Sequence, residues 1–208
     1  MEIKEFKIRA SQAGILMTNA RKADEMSKTA QTYLKTWLKE QIYGVRKDVH
    51  SKVLDKGKNM ENHSIDKAIM WLNLPFIYKN ETNFEDEYFT GTPDLLLEKL
   101  VIDIKTSWDC FTFPLFETSI PNMDYFYQLQ VYMHLTGLKK ATLCYVLIDT
   151  PETYNNAAIT YKGIDPHYRI KTFDFDYDEA IIKELQQRVI KSREYIEYLK
   201  KIIHTNEK

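Results

Sequence analysis

The chain has 208 residues, 44% hydrophobic and 28% charged, with a net charge of -1. That is enough for a sizeable core, and it excludes a disordered or fibrous chain. No apolar run approaches the roughly 18 residues of a membrane span, so no membrane association is expected.

Two cysteines without a CxxC pair, and five histidines without zinc spacing, argue against a zinc finger and a four-cysteine iron–sulfur site. The start, MEIKEFKIRA, carries no signal-peptide h-region, which gives the expectation of a cytoplasmic protein. The near-neutral total hides an asymmetry. Residues 1–58 hold 13 Lys/Arg against 7 Asp/Glu, and residues 59–208 hold 16 against 23, so +6 faces -7. Such a split could orient an anionic polymer or suit head-to-tail contact between subunits, although a solvated helical surface would read the same way.

In chain order, Ser11 is a candidate N-cap for a short helical turn through Met17. Helical periodicity runs from Ala23 to Tyr43, with Gly44 at its C-terminus, and a second helix covers Val49 to Leu74 before Pro75. Short strands are expected at Phe76–Tyr78, Glu87–Thr90 and Asp94–Leu97. A stronger one follows at Leu100–Lys105, with Glu98-Lys99 as the turn into it. Asp124–Thr136 reads as a helix ended by Gly137. Ala141–Ile148 is an apolar strand of the kind buried on both faces. After a loop at Thr150–Pro166 come an edge-type strand, Tyr168–Phe175, and a long amphipathic helix, Tyr177–His204. This order predicts an α/β domain with a mixed central sheet flanked by helices. Residues 1–74 form its helical N-terminal part and 75–208 its sheet-containing core.

The chemistry concentrates in GTPDLLLEKLVIDIKTSW, residues 91–108. On a strand, Asp103 and Lys105 share one face while Ile102 and Ile104 share the other. If the preceding segment pairs antiparallel, Asp94 lies near Asp103. Two converging carboxylates repel unless a cation sits between them, and all-oxygen ligation suits Mg²⁺, with Mn²⁺ as a substitute. A neighbouring lysine can orient or deprotonate an attacking water. The plain alternative is a surface salt bridge on a hairpin.

Pro93-Asp94 followed by Asp103-Ile104-Lys105 resembles the PD-(D/E)xK signature of the restriction-endonuclease-like nucleases. Gln128 and Tyr132, in YQLQVYMHLTG, match the QxxxY element of the RecB and lambda-exonuclease branch, and their i, i+4 spacing puts both on one helix face. Lys56-Gly57 with Glu61, in LDKGKNMEN, is similar to that branch's upstream metal-site helix, though Glu61 could equally be a solvated charge. IRASQAGILMT resembles the amino-terminal helix start of the lambda-exonuclease and YqaJ-type recombinases, which present a serine and an arginine to a 5′ phosphate. Ser11 would be that serine, or a plain cap, and Arg9 or Arg21 the arginine.

The resemblance implies a Mg²⁺-dependent nuclease. It would be a 5′-to-3′ exonuclease acting on double-stranded DNA ends, leaving 3′ tails for a single-strand annealing partner in phage-type recombination, and assembled as a homotrimer. It also implies roles. Asp94, Asp103, the Ile104 carbonyl and Glu61 hold metal, Lys105 acts on water, Gln128 orients Lys105 or the substrate, and Tyr132 lines the strand's path. An endonuclease of the same fold, or a non-cutting DNA-binding or inhibitory protein on that scaffold, are the alternatives. Trp108, Phe111, Phe113 and Phe116 are expected mostly to pack under the sheet or at a subunit contact, with base stacking as the other reading.

Overall fold

The structure, a computed structural model, describes residues 3–20, 22, 25–47, 52–150, 152 and 157–205, with 52–59 and 204–205 as backbone only. Its centre is the strand β6 (Lys140–Val146), buried at every position after Lys140. A strand with apolar residues on both sides must be covered on both sides, and the neighbouring elements do this. β5 (Val101–Thr106) runs parallel to it, pairing Asp103 with Leu143 and Lys105 with Tyr145. β4 (Leu95–Leu96) and β7 (Ile170–Asp176) pair antiparallel on the outside, giving the order β4-β5-β6-β7.

Alternation along β5 and β6 splits the core in two. Ile102, Cys144, Val146 and Ile148 face one cluster, closed by Ile65 and Ala68 of helix α3 (Lys52–Trp71). Val101, Leu143 and Tyr145 face the other. That side is covered by α4 (Met123–Thr136) and by α5 (Glu179–Thr205), which supplies Ile182, Leu185 and Val189. Asp103 and Lys105 therefore project into the α4 side.

The helix ends follow local chemistry. The Ser27 hydroxyl accepts the Ala30 N–H at 3.1 Å and starts α2 (Lys28–Tyr43), a cap worth about 1 kcal/mol. Gly44 (φ 65°) and Gly137 (φ 74°) end α2 and α4 in the left-handed conformation.

Several expectations change. Ser11 is not a helix cap. It sits inside a 3₁₀ turn, Ala10–Gln12, that leads into the short helix α1 (Ala13–Leu16), and neither turn is capped by a side chain. The chain enters directly from a strand, β1 (Ile8–Arg9), leaving no free first-turn geometry for a cap. α2 starts at Lys28 because the capping serine is Ser27. α3 ends at Trp71, with Asn73 (φ 51°) turning the chain before Pro75 acts. Phe76–Tyr78 is not a strand. Those two rings pack edge to face at 5.0 Å and stand 87% and 75% exposed. The described residues form two sheets: β2 (Phe84–Glu85) and β1 flank β3 (Phe89–Gly91) in a small three-stranded sheet. No helix of the described residues is long and apolar enough to cross a membrane.

Candidate active site

β4 and β5 form the hairpin the sequence implied, with Leu95 opposite Ile102 and the Leu97 N–H donating to the Leu100 carbonyl across Glu98-Lys99. Asp94 stands just before β4. Its Oδ2 accepts the Ile104 N–H at 2.6 Å, which fastens the carboxylate to β5 beside Asp103. The Asn80 N–H donates to the Asp94 carbonyl, and the Asn80 amide donates to the Pro93 carbonyl, so the Pro-Asp corner is held from outside as well.

Asp103, 2% exposed, is the centre of the network. Gln128 on α4 donates from Nε2 to Asp103 Oδ1 at 3.0 Å and to the Tyr132 hydroxyl at 2.9 Å. Its Oε1 accepts from Lys105 Nζ at 3.2 Å. One amide thus fixes a carboxylate, an ammonium and a phenol, with both of its ends satisfied. Lys105 Nζ also lies 2.7 Å from Asp103 Oδ2 and 4.6 Å from the centre of the Tyr125 ring.

The charges are strongly coupled. Burial, then repulsion by Asp103, pushes the Asp94 carboxyl up to about 7, against the pull of the Ile104 hydrogen bond and Lys105. The Glu61 carboxylate adds to that repulsion, which brings it into the same field. Burial opposes the charge on Lys105, but the Asp103 carboxylate outweighs it and holds the ammonium above its ordinary value. Burial raises Tyr132, with the Asp103 charge adding to it, so the phenol stays protonated.

Glu61 is placed by α3. Three residues on, the Ser64 hydroxyl lies 2.6 Å from the Thr106 hydroxyl at the end of β5, clamping the helix to that strand. Glu61 Oε1 pairs with Lys79 at 2.8 Å. The side chains of Lys56 and its neighbours lie outside the described residues.

The arrangement fits a divalent metal. Asp103 Oδ2 is buried yet accepts no hydrogen bond of normal geometry among the described residues, despite the ion pair with Lys105. Asp94 beside it is a carboxylate destabilised by its neighbour. Among the described residues no three acidic, histidine or cysteine side chains close into a cage. An open carboxylate pair is the kind of site that Mg²⁺ completes with water and substrate phosphate.

The terminal-phosphate candidates separate. The turn carrying Ser11 packs against α4 and β3, and Ala10 and Tyr132 meet at Gly91. Arg9 is engaged with the Tyr33 hydroxyl. Arg21 lies outside the described residues. Of the four aromatics after β5, Phe113 is buried as expected, whereas Phe111 and Phe116 stand 93% and 88% exposed and so do not pack under the sheet. Three residues with structural parts in this site escaped the sequence reading: Tyr125, Ser64 and Lys79. Tyr125 precedes Gln128 by three and Tyr132 by seven, so the helical spacing that selected the other two carried the signal for it.

Solved structures share this architecture. A phage-related exonuclease from Haemophilus somnus 129PT superposes with TM-score 0.84 at 23% identity, over 96% of this chain and 97% of that one. An alkaline exonuclease from Laribacter hongkongensis, LHK-Exo, gives 0.70 at 19% identity, over 96% and 94%. LHK-Exo in complex with dAMP gives 0.70 at 20%. No protein-family profile and no curated protein matches the sequence. The chain adopts the mixed α/β fold of these exonucleases, as the motif resemblance implied.

Proposed function

We propose that the protein is a Mg²⁺-dependent deoxyribonuclease that degrades double-stranded DNA from its ends, 5′ to 3′, leaving 3′ single-stranded tails for phage-type recombination. The observation that carries this reading is the buried Asp103–Gln128–Lys105 network beside Asp94, on the fold of two exonucleases. Asp94 and Asp103 would hold the metal, with Glu61 and the Ile104 carbonyl completing its surroundings. When bound, the ion supplies Lewis-acid stabilisation of charge on the scissile phosphate and acidifies the attacking water. Lys105, protonated and aimed by Gln128, orients the water and stabilises negative charge gathering on the phosphate oxygens. Gln128 keeps Lys105 and Asp103 in fixed relation, so little reorganisation accompanies the reaction. Tyr132, a neutral phenol tied to the same amide, lines the strand's path.

Digestion of linear duplexes labelled at either end, with 5′ phosphate or 5′ hydroxyl, tests the proposal. Loss of the 5′ label first, with faster attack on the phosphorylated end and an intact covalently closed circle, is the expected result. Cutting of the circle would make the enzyme an endonuclease, and no cleavage with any divalent metal would leave a DNA-binding scaffold.

A further inference from the structure

α2 carries a feature that the catalytic network does not use. Lys28, Lys35 and Lys39 stand on it, with Arg46 just past the Gly44 cap, and all four are exposed. Offsets of seven and four residues return Lys28, Lys35 and Lys39 to the same side of the helix, and Thr32 and Tyr43 lie on that side as well. The opposite side, Ala30, Leu34 and Leu38, is buried in the core. None of the four cations forms an ion pair among the described residues, and the helix's single acidic residue, Glu40, accepts the Lys47 N–H instead. α5 shows what a self-neutralised surface helix looks like in this chain: Lys183, Arg188 and Lys200 each pair with a glutamate one turn away. The basic character of residues 1–58 is thus gathered, in part, on one uncompensated helix face.

We propose that this face of α2 is a track for the phosphate backbone of duplex DNA, an inference that rests on the deoxyribonuclease reading. Lys28 to Lys39 spans about 16 Å of helix axis. Duplex DNA carries a phosphate per about 1.7 Å of axis, counting both strands, so roughly ten lie along that length and the lysines can reach those facing them. Lysine stems and a threonine read phosphate charge rather than base edges, which suits an enzyme that advances over any sequence. α2 packs on α1, and α1 packs on α4, the helix that carries Gln128 and Tyr132. The track is therefore mechanically linked to the catalytic cluster. With Ser27 capping one end and Gly44 the other, the lysines stand on a rigid element.

The test compares the full-length protein with Lys28→Gln/Lys35→Gln/Lys39→Gln, and with a control of equal charge change, Lys162→Gln/Lys183→Gln/Lys191→Gln. Binding to a short blunt duplex is measured in Ca²⁺ over a range of salt. The α2 variant is expected to bind about tenfold or more weakly, with the slope of log K against log salt reduced by about 2 to 3. The control should match wild type, and Lys→Arg at the three α2 positions should restore binding. Circular dichroism melting checks that each variant is folded, and a misfolded triple variant is replaced by the single lysine variants, each reducing the slope by about 1. An unchanged slope and affinity, or an equal loss in the control, would overturn the track while leaving the nuclease reading in place. A wild-type protein that neither binds nor cuts DNA would remove both.

Discussion

At the scale of single residues, the site is organised by competition for charge. Asp103 is the residue whose loss should be most specific. Asp103→Asn keeps the shape and Gln128 as a neighbour but removes the formal charge a divalent cation needs. Mg²⁺-dependent cleavage should fall to background in a digestion assay, while duplex binding in Ca²⁺ survives, because lysine and arginine contacts to phosphate supply much of the affinity. Substantial cleavage by this variant would remove Asp103 from the metal site. Asp94 offers a second handle. Its carboxyl ionises near 7 when folded, against about 3.8 when unfolded. Between those values the folded state holds a proton that the unfolded state has lost. Stability from this group is therefore full below about pH 4 and declines as pH rises toward 7, by something on the order of 4 kcal/mol. The metal-free protein should melt lower at pH 8 than at pH 5, and Asp94→Asn should flatten that dependence and raise the melting temperature at pH 8. Mg²⁺ should stabilise the wild type at pH 8 and do little for the variant. A wild-type pH profile retained in Asp94→Asn would mean that ionisation of the buried Asp94 carboxyl is not what destabilises the folded state.

At the scale of elements, the position of α4 is set by a close approach. A Cβ at Gly91, the last residue of β3, would lie 2.7 Å from Tyr132 Cε1 and 2.9 Å from the Ala10 Cβ. Neither neighbour is the loose end of a flexible chain, so Gly91→Ala forces α4 or the Ala10 turn to move. Overpacking of this kind costs about 1–3 kcal/mol. Thermal unfolding should show that loss, and cleavage should fall more than stability alone explains, because Tyr132 shares an amide with Asp103 and Lys105. Wild-type activity in Gly91→Ala would show that the tyrosine's position is not critical. The same elements explain what the sequence made legible. β5 announced itself because a charged residue alternating inside an apolar strand has few structural uses, and α4 because Gln128 and Tyr132 repeat at the helical period. The two-residue strands β1 and β2 have no periodicity of their own and exist only by pairing with β3. Phe76–Tyr78 alternates like a strand but finds no partner. Ser11 looked like a cap because capping chemistry is local, whereas the strand leading into it is a tertiary fact. The bridge from His134 to Asp86, 2.9 Å across 48 residues, ties α4 to the small sheet and was invisible for the same reason.

At the scale of the whole molecule, two surfaces make separate demands. The lysines of α2 are proposed to face DNA, so they cannot also serve as the subunit contact that the +6 and -7 halves first suggested. Were copies of the chain to assemble, a second surface would be available for the contact. Phe76 and Tyr78 stand out at a groove of about 600 Å³ lined by Phe76, Ile77, Leu96, Leu97 and Leu100 and flanked by the charged turn Glu98-Lys99, at the β4 edge of the four-stranded sheet. Two exposed aromatic rings over half-buried leucines are a surface that a contact with another macromolecule could cover. A ring of three around the duplex needs a heterologous interface, one patch meeting a different patch on the next copy, which closes when the rotation permits. If the copies close into the ring that the motif resemblance implies, the apolar edge would carry assembly and the proposed α2 track would face the enclosed DNA. Light scattering at micromolar concentration should then give three times the chain mass for the wild type, and the same for Lys28→Gln/Lys35→Gln/Lys39→Gln across low and moderate salt. Phe76→Ser/Tyr78→Ser should dissociate to a folded monomer. Digestion by that monomer should switch to fresh duplexes when competitor DNA is added, while the wild type stays on the first one. A wild-type monomer that digests distributively would sink the ring, and a lysine variant that falls apart would return the charge halves to the interface.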